Sequence, residues 1–122
     1  MIRLVALYKR PADPAAFEKY YFGTHKPLAE KIPGVVEYRC SKIFGGLEGK
    51  SPWFFLAELC FKDKETFKAA MTSPQAQAAG ADVDNFAKGL AEIFFVDDAA
   101  VPAAPARDKR AGTAEAEGAA AR

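Results

Sequence analysis

His25 is the only histidine in the 122-residue chain, and its side chain is the one best suited to acid–base chemistry near neutral pH. An unperturbed imidazole has a pKa of about 6.5, so it can both accept and release a proton in that range. On a helical wheel that starts at Phe17, His25 lies at the edge of an apolar stripe and one turn beyond Tyr21. This position predicts either a general acid or base at a cleft, or a structural histidine that bonds a backbone carbonyl or stabilises a helix bend.

Glu58 is the second unusual residue, because it places a carboxylate within the otherwise apolar run 53–61. A buried carboxylate is costly unless it is paired, protonated or set in a polar cavity. Two interpretations follow: Glu58 is a catalytic partner of His25 or of a substrate, or it forms an ion pair across the sheet with Arg3 or Arg39.

Tyrosine hydroxyls are further candidates, since they can donate to a substrate oxygen from an apolar wall. Tyr8 continues the phase of the first predicted strand, and its hydroxyl either lines a pocket or is the solvated tip of a core aromatic. We predict that Tyr8 acts with His25 and Glu58, and that an apolar pocket binds substrate. The predicted substrate contacts are Tyr21, Leu28, Phe54 and Leu56. Asp82 and Asn85 are interpreted as residues that cap or join a turn, with a catalytic role as the less favoured alternative.

The elements that must position these residues follow from hydrophobic period and from start and stop signals. Asp13-Pro14 predicts a helix start and Pro33-Gly34 its end, with a bend at Pro27 just after His25. The predicted strands span 2–8, 35–43, 53–61 and 91–97, and the predicted helices span 14–32, 64–71 and 74–88. This order is that of an α+β protein with the ferredoxin-like βαββαβ fold and an antiparallel sheet.

The chain divides into one domain and a tail. Residues 1–98 hold all of the predicted elements, whereas 99–122 are rich in Ala, Pro and charge and contain no aromatic residue. This composition predicts a disordered tail.

The third and fourth strands are apolar on both faces, which predicts self-association. Two helices cover only one face of such a sheet, so the other face would expose large side chains at about 1.5–3 kcal/mol each. We expect a homodimer in which two open sheet faces pack together, with coverage by the tail or by another protein as the alternative.

Composition and charge exclude several functional classes. The formal net charge of +1 argues against a nucleic-acid-binding surface. No apolar run reaches the roughly 20 residues that span a bilayer, and no secretory signal is evident, so we expect no membrane contact and a cytoplasmic protein. Cys40, Cys60 and His25 are too few for a zinc site, so the cysteines are interpreted as buried thiols and no metal or cofactor is expected. The glycine-rich loop 45–49 lacks the features of a phosphate loop.

Short motifs in both halves of residues 1–97 resemble those of the EthD family. They are Leu7-Tyr8-Lys9-Arg10-Pro11, Asp13-Pro14, Phe17, Tyr20-Tyr21, Thr24-His25, Pro27-Leu28 and Ile32-Pro33-Gly34, then Ala57-Glu58, Ser73-Pro74, Gln77-Ala78, Ala81-Asp82 and Asn85-Phe86. The resemblance implies a dimeric α+β barrel. The founding members of the EthD family are associated with bacterial ether degradation. Relatives that share the fold include cofactor-independent monooxygenases, lactone isomerases, polyketide cyclases and haem-binding enzymes.

The resemblance implies a small cofactor-independent enzyme, of the oxidoreductase and monooxygenase or the isomerase and cyclase type, that acts on a small hydrophobic organic molecule in catabolism or secondary metabolism. A shared fold does not transfer a reaction. The alternatives are a non-catalytic accessory protein that binds a hydrophobic ligand for a separate oxygenase, and a haem protein with His25 as axial ligand.

Overall fold

The computed structural model describes residues 1–99, which form one sheet with helices on one side. Its strands are β1 (Ile2–Lys9), β2 (Glu37–Lys42), β3 (Trp53–Phe61) and β4 (Ala91–Asp97). Its helices are α1 (Pro14–Tyr20), α2 (Lys26–Ala29), α3 (Lys64–Met71) and α4 (Pro74–Phe86), and a π-helical turn (Tyr21–His25) joins α1 to α2. The predicted tail lies outside the described residues from position 100 onward, so its disorder stays a prediction.

The four strands form a single antiparallel sheet in the order β2-β3-β1-β4. This order and the chain order of the elements are those of the ferredoxin-like α+β fold, which confirms the predicted fold class. In this arrangement β2 and β4 are the edge strands, and β1 and β3 form the centre.

The side chains of β1 and β3 alternate between the two faces of the sheet. Ile2, Leu4, Ala6 and Tyr8 pair with Phe61, Leu59, Ala57 and Phe55, and these residues face the helices. The buried residues form two clusters, one with Phe61 and Phe67 near α3, the other with Tyr8 and Phe17 near α1. The second cluster supports the site described below.

A β-bulge changes the alternation at the start of β3. Tyr8 pairs with Phe55 but Lys9 pairs with Trp53, so Phe54 has no partner on β1. As a result both Phe54 and Phe55 pack against Phe17 of α1, at ring-centroid distances of 5.6 and 5.5 Å. The predicted strict alternation of β3 is therefore wrong at this end.

The helix starts follow from their caps. The side chain of Asp13 accepts a hydrogen bond from the Ala16 N–H, that of Asp63 from Thr66 and that of Ser73 from Ala76, at 3.1, 2.8 and 3.1 Å. Each side chain satisfies one of the free N–H groups in the first turn.

The predicted single helix over 14–32 is interrupted, but not in the expected way. The irregularity is the π-helical turn before Pro27, in which the Lys26 N–H donates to the Tyr21 carbonyl. Pro27 lies in the first turn of α2, where its missing N–H is tolerated. The helix ends at Ala29, β2 spans Glu37–Lys42 rather than 35–43, and α4 ends at Phe86 rather than 88.

The face of the sheet away from the helices carries apolar side chains around Glu58 at its centre. Val5 pairs with Glu58 and Phe94, and Leu7 pairs with Leu56, on this face. Phe94 is 42% exposed in the single chain.

Both cysteines are free thiols, since Cys40 pairs with Ala57 and Cys60 with Glu37. Cys60 is buried as expected, whereas Cys40 is only partly buried. Within residues 1–99, none of the helices has the length and apolarity needed to cross a membrane.

Candidate active site

The π-helical turn places Tyr21 and His25 side by side under the sheet. Both residues are buried, and their ring centroids lie 5.2 Å apart. A π-helical turn fits one more residue into a turn than an α-helix does, and such turns are frequent at functional sites. Phe86 of α4 also packs against the His25 ring, with centroids 4.8 Å apart, and contacts Tyr21 as well.

The imidazole of His25 is hydrogen-bonded to Asp82 of α4. His25 Nδ1 lies 3.0 Å from Asp82 Oδ2, and each side chain is only 7% exposed. The two residues are 57 positions apart in the chain. The packing of α4 against the π-helical turn therefore creates the pair.

Two further donors hold the Asp82 carboxylate in place. The Tyr20 hydroxyl donates to Oδ1 at 2.7 Å, and the Asn85 amide donates to the same oxygen at 2.9 Å. Oδ1 is thus occupied, and Oδ2 is directed at His25. Asp82 and its three partners therefore form one hydrogen-bonded network around the C-terminal half of α4.

The environment sets the protonation of the pair. Burial lowers the pKa of His25 from its usual 6.5, against the opposing effects of the hydrogen bond and charge of Asp82. Burial acts to raise the pKa of Asp82, but the hydrogen bonds from Tyr20, Asn85 and His25 outweigh it and lower that pKa. At neutral pH the pair is therefore a neutral imidazole and a carboxylate.

The hydrogen of the neutral imidazole is assigned to Nδ1. An ionised carboxylate only accepts hydrogen bonds, so the 3.0 Å contact with Asp82 requires an Nδ1–H donor. Nε2 then carries a lone pair. No hydrogen bond joins Nε2 to another group within residues 1–99, so this nitrogen is available as a base.

A cavity of about 80 Å³ lies between the sheet and the helices, and His25 forms part of its wall. Tyr8, Tyr21 and Tyr38 supply its other polar side chains. The remaining walls are apolar, from Leu4, Ala6, Ala29, Ile32, Ala57, Leu59, Met71, Ala76, Ala79, Gly80, Val83 and Ile93. A mostly apolar cavity with a few convergent polar groups is typical of a small-molecule site.

The three tyrosines differ in their hydrogen bonds. The hydroxyls of Tyr21 and Tyr38 bond each other at 2.7 Å. Tyr8 is 1% exposed, yet its hydroxyl makes no hydrogen bond to any other residue in the described part of the chain. Burial raises the pKa of all three hydroxyls, so they remain neutral donors at any physiological pH.

The structure brings together three of the predicted site residues, since His25, Tyr8 and Tyr21 line the same cavity. Glu58 is a correction, because it lies on the opposite face of the sheet from this cavity. Its carboxylate forms an ion pair with Arg3 at 3.3 Å, which is the structural alternative given above. Strand alternation places Glu58 opposite to Ala57, which does line the cavity.

The other three predicted substrate contacts also lie outside this cavity wall. Phe54 belongs to the aromatic cluster with Phe17 because of the bulge, and Leu56 points to the open face. Leu28 lies at a separate surface depression next to Pro74.

Asp82 and Tyr38 are the residues that sequence analysis missed as parts of the site. The sequence favours a turn role over a catalytic role for Asp82, and its spacing of three residues from Asn85 is the one local signal that the two side chains can interact. Tyr38 lies on edge strand β2, and only the register of the sheet shows that it faces the helices.

Residues 1–99 contain no group of three or more His, Cys, Asp or Glu side chains placed to hold a metal ion. The polar groups of the site are the imidazole, its carboxylate partner and the tyrosine hydroxyls. Such a set can exchange protons with a bound molecule and stabilise a developing oxyanion.

Residues 9–90 match the family model described as EthD domain. An uncharacterised 11.0 kDa protein from the thcB-thcC intergenic region of Rhodococcus erythropolis is 40% identical over 102 residues, covering 83% of this chain and 98% of the relative. A crystal structure of an ethyl tert-butyl ether d (EthD) family protein from Bacillus halodurans is 34% identical with a TM-score of 0.77, covering 81% of this chain and 99% of that one.

More distant structures share the fold alone. SnoaB, a cofactor-independent oxygenase from Streptomyces nogalater, is 15% identical with a TM-score of 0.58, covering 83% of this chain and 95% of that one. Other structures of this fold are described as dimeric ferredoxin-like proteins, one of them from Jannaschia at 15% identity and a TM-score of 0.59, covering 80% of this chain and 98% of that one.

Proposed function

The chain belongs to the EthD family, and on that premise we propose that it is a cofactor-independent enzyme that removes a proton from a small hydrophobic organic molecule. His25 is the general base of this proposal, Asp82 positions it, and Tyr8 stabilises the oxygen on which negative charge develops.

One observation carries the proposal: a buried neutral imidazole is bonded to a carboxylate through Nδ1 while it lines an apolar cavity. A general base works best when it is unprotonated at the working pH and within reach of the proton it removes. The lowered pKa of His25 satisfies the first condition, and its place in the cavity wall favours the second.

The chemistry that fits is proton transfer from a hydroxyl, or from a carbon next to a carbonyl, to Nε2 of His25. The electron pair of the broken bond moves onto the substrate and gives an alkoxide or an enolate. The new imidazolium is stabilised by Asp82, whose carboxylate is 3.0 Å from Nδ1. The Tyr8 hydroxyl can then donate to the substrate oxyanion, and donors of this kind act strongly in a dry site.

The comparisons support the proposal at the level of the fold. SnoaB shows that a protein of this fold can be an oxygenase without a cofactor. Isomerase, cyclase and oxygenase mechanisms can all include the removal of a proton to form an enolate. We therefore propose that step alone. Fold similarity by itself would not transfer any reaction.

Solvent deuterium exchange into a small panel of ketones, followed by proton NMR in D₂O, tests the proposal. We expect exchange above the buffer rate, with a loss of about 10²-fold or more in His25→Ala. Glu58→Gln is the matched control, because Glu58 lies on the other face of the sheet and exchange should not change.

The same assay separates the enzyme from the accessory protein that only binds its ligand. The accessory function is supported if ligands bind but exchange never exceeds the buffer rate. The enzyme is supported if His25→Ala retains binding and loses exchange. Exchange that is equal in His25→Ala and in the unmodified protein would refute the assigned base.

We further propose that the chain forms a homodimer through its open sheet face. Leu7, Leu56 and Phe94 lie on that face, and structures of the same fold are described as dimeric. Burial of several such side chains contributes about 1.5–3 kcal/mol each. Leu56→Lys should convert the dimer to a monomer in analytical ultracentrifugation, whereas Lys68→Glu on the helix side should not. A monomeric unmodified protein at tens of micromolar would refute this arrangement.

A further inference from the structure

Within residues 1–99, the cavity wall carries one imidazole nitrogen that can only accept a hydrogen bond, three neutral hydroxyls that can donate or accept, and no charged side chain. The acceptor is Nε2 of His25, since Nδ1 is bonded to Asp82 at 3.0 Å. Among the lining residues, only His25 and the three tyrosines are polar. A ligand that fills this space must match that inventory.

Tyr8 supplies a hydroxyl that is free to bond a ligand. Its side chain is 1% exposed, and its hydroxyl forms no hydrogen bond with any residue in the described range. The hydroxyl is not fully enclosed by the protein and lies on the cavity wall, so a molecule bound there can take its hydrogen bond. Any acceptor oxygen of a ligand can pair with it, and in the proposed reaction that oxygen is the carbonyl oxygen on which negative charge develops.

His25 makes the opposite demand. A neutral imidazole that donates through Nδ1 can only accept at Nε2. The group that satisfies it must carry a hydrogen, and a hydroxyl is the common small group of this kind. The cavity therefore complements two different groups at once.

Charge narrows the ligand further. Within residues 1–99, no Lys or Arg lines the cavity, and burial raises the pKa of the tyrosine hydroxyls on its wall. A carboxylate would lose its hydration without gaining a cation, which is a large cost in an apolar site. Carboxylates are therefore selected against.

We infer that the site takes an uncharged hydroxyketone or hydroxyaldehyde, with the hydroxyl at His25 and the carbonyl at Tyr8. This inference rests on the proposed function, because it names the class of molecule that His25 would deprotonate. The cavity of about 80 Å³ is smaller than the roughly 150 Å³ that holds a benzene molecule. A space of this size suits a ligand of few atoms, and its wall includes Ile93, which is 45% exposed.

Four molecules with similar skeletons test the inference. They are 3-hydroxybutan-2-one, which carries both groups, butan-2-one, which carries only the carbonyl, butan-2-ol, which carries only the hydroxyl, and lactate, in which a carboxylate replaces the ketone. A second hydroxyketone, 4-hydroxybutan-2-one, covers the longer spacing of the two groups. Binding is followed through the ring proton signals of His25, the single histidine, in NMR titrations at pH 7.5.

We expect at least one hydroxyketone to bind about tenfold more tightly than butan-2-one and butan-2-ol, since it makes one more hydrogen bond than either of them. Lactate should bind at least as weakly as butan-2-ol. In Tyr8→Phe the advantage of the hydroxyketone over butan-2-ol should disappear, while the affinity for butan-2-ol stays the same. Equal binding of all the neutral probes, no binding of either hydroxyketone, or preferred binding of lactate would overturn the inference.

The outcome is independent of whether the proposed reaction occurs. Selective binding without deuterium exchange at the carbon next to the carbonyl would retain the ligand class and refute the enzyme. Exchange that is as fast with butan-2-one as with a hydroxyketone, without selective binding, would retain the enzyme and refute the ligand class.

Discussion

Tyr8→Phe should stabilise the protein, whereas the matched change Tyr21→Phe should destabilise it. The two tyrosines are each 1% exposed and pack in the same aromatic cluster, with ring centroids 5.9 Å apart. They differ in one respect: the Tyr21 hydroxyl bonds Tyr38 at 2.7 Å, and the Tyr8 hydroxyl bonds no residue within positions 1–99.

The magnitudes follow from that difference. A hydroxyl without a partner costs about 1–3 kcal/mol when it is fully buried, and the low end applies to Tyr8 because its hydroxyl reaches a cavity of about 80 Å³ that can admit water. We expect Tyr8→Phe to raise the free energy of unfolding by about 1 kcal/mol. Loss of the hydrogen bond in Tyr21→Phe should lower it by about 1 kcal/mol and leave Tyr38 without its partner.

Urea denaturation of both variants at one protein concentration measures these changes, since a dimer gains stability with concentration. The reasoning is refuted if Tyr8→Phe loses as much stability as Tyr21→Phe. That result would show that the Tyr8 hydroxyl is fully satisfied in the folded protein.

Three further predictions follow from the site and the fold. Asp82→Asn removes the carboxylate that raises the pKa of His25, so that pKa should fall further. The acid limb of the pH profile for deuterium exchange should then move to lower pH. An unmoved limb would contradict the coupling of His25 to Asp82. Burial holds the pKa of His25 below its unfolded value of about 6.5, so the unfolded chain binds the proton first, and the free energy of unfolding should decrease as the pH falls below about 6.5. Urea titrations between pH 5 and 7.5 should show this decrease, and its persistence in His25→Gln would assign it elsewhere. Gly34→Ala should lower the free energy of unfolding by more than about 1 kcal/mol, because Gly34 has φ of 87° and a Cβ there would lie 2.6 Å from Thr66 Cγ2. In Gly23→Ala the new Cβ meets no atom within 4 Å, so thermal unfolding should show no such loss.

Local patterns were sufficient for most of the elements. The apolar run 53–61 became β3 and 91–97 became β4 with the predicted bounds, because both runs are long and bounded by polar or turn residues. Asp13, Asp63 and Ser73 cap helices as their residue types predict. These features depend on neighbours in sequence, so the sequence is enough to find them.

The site depends on contacts that a local pattern does not contain. Asp82 reaches His25 only because α4 packs on the π-helical turn, 57 residues away in sequence. The sequence singles out Glu58 because it is a polar residue among apolar ones. In the sheet it lies on the open face, where its carboxylate forms an ion pair with Arg3 of the neighbouring strand β1. The bulge at Phe54 depends on how β1 and β3 align, and no residue in β3 alone specifies it.

The tautomer of His25 tests the central claim most directly, and the single histidine makes the measurement unambiguous. A long-range ¹H–¹⁵N correlation spectrum at pH 7.5 should show a neutral ring with its hydrogen on Nδ1, and Asp82→Asn should change the Nδ1 shift. A ring with its hydrogen on Nε2, or an imidazolium at that pH, would contradict the account, because neither form leaves a base facing the cavity.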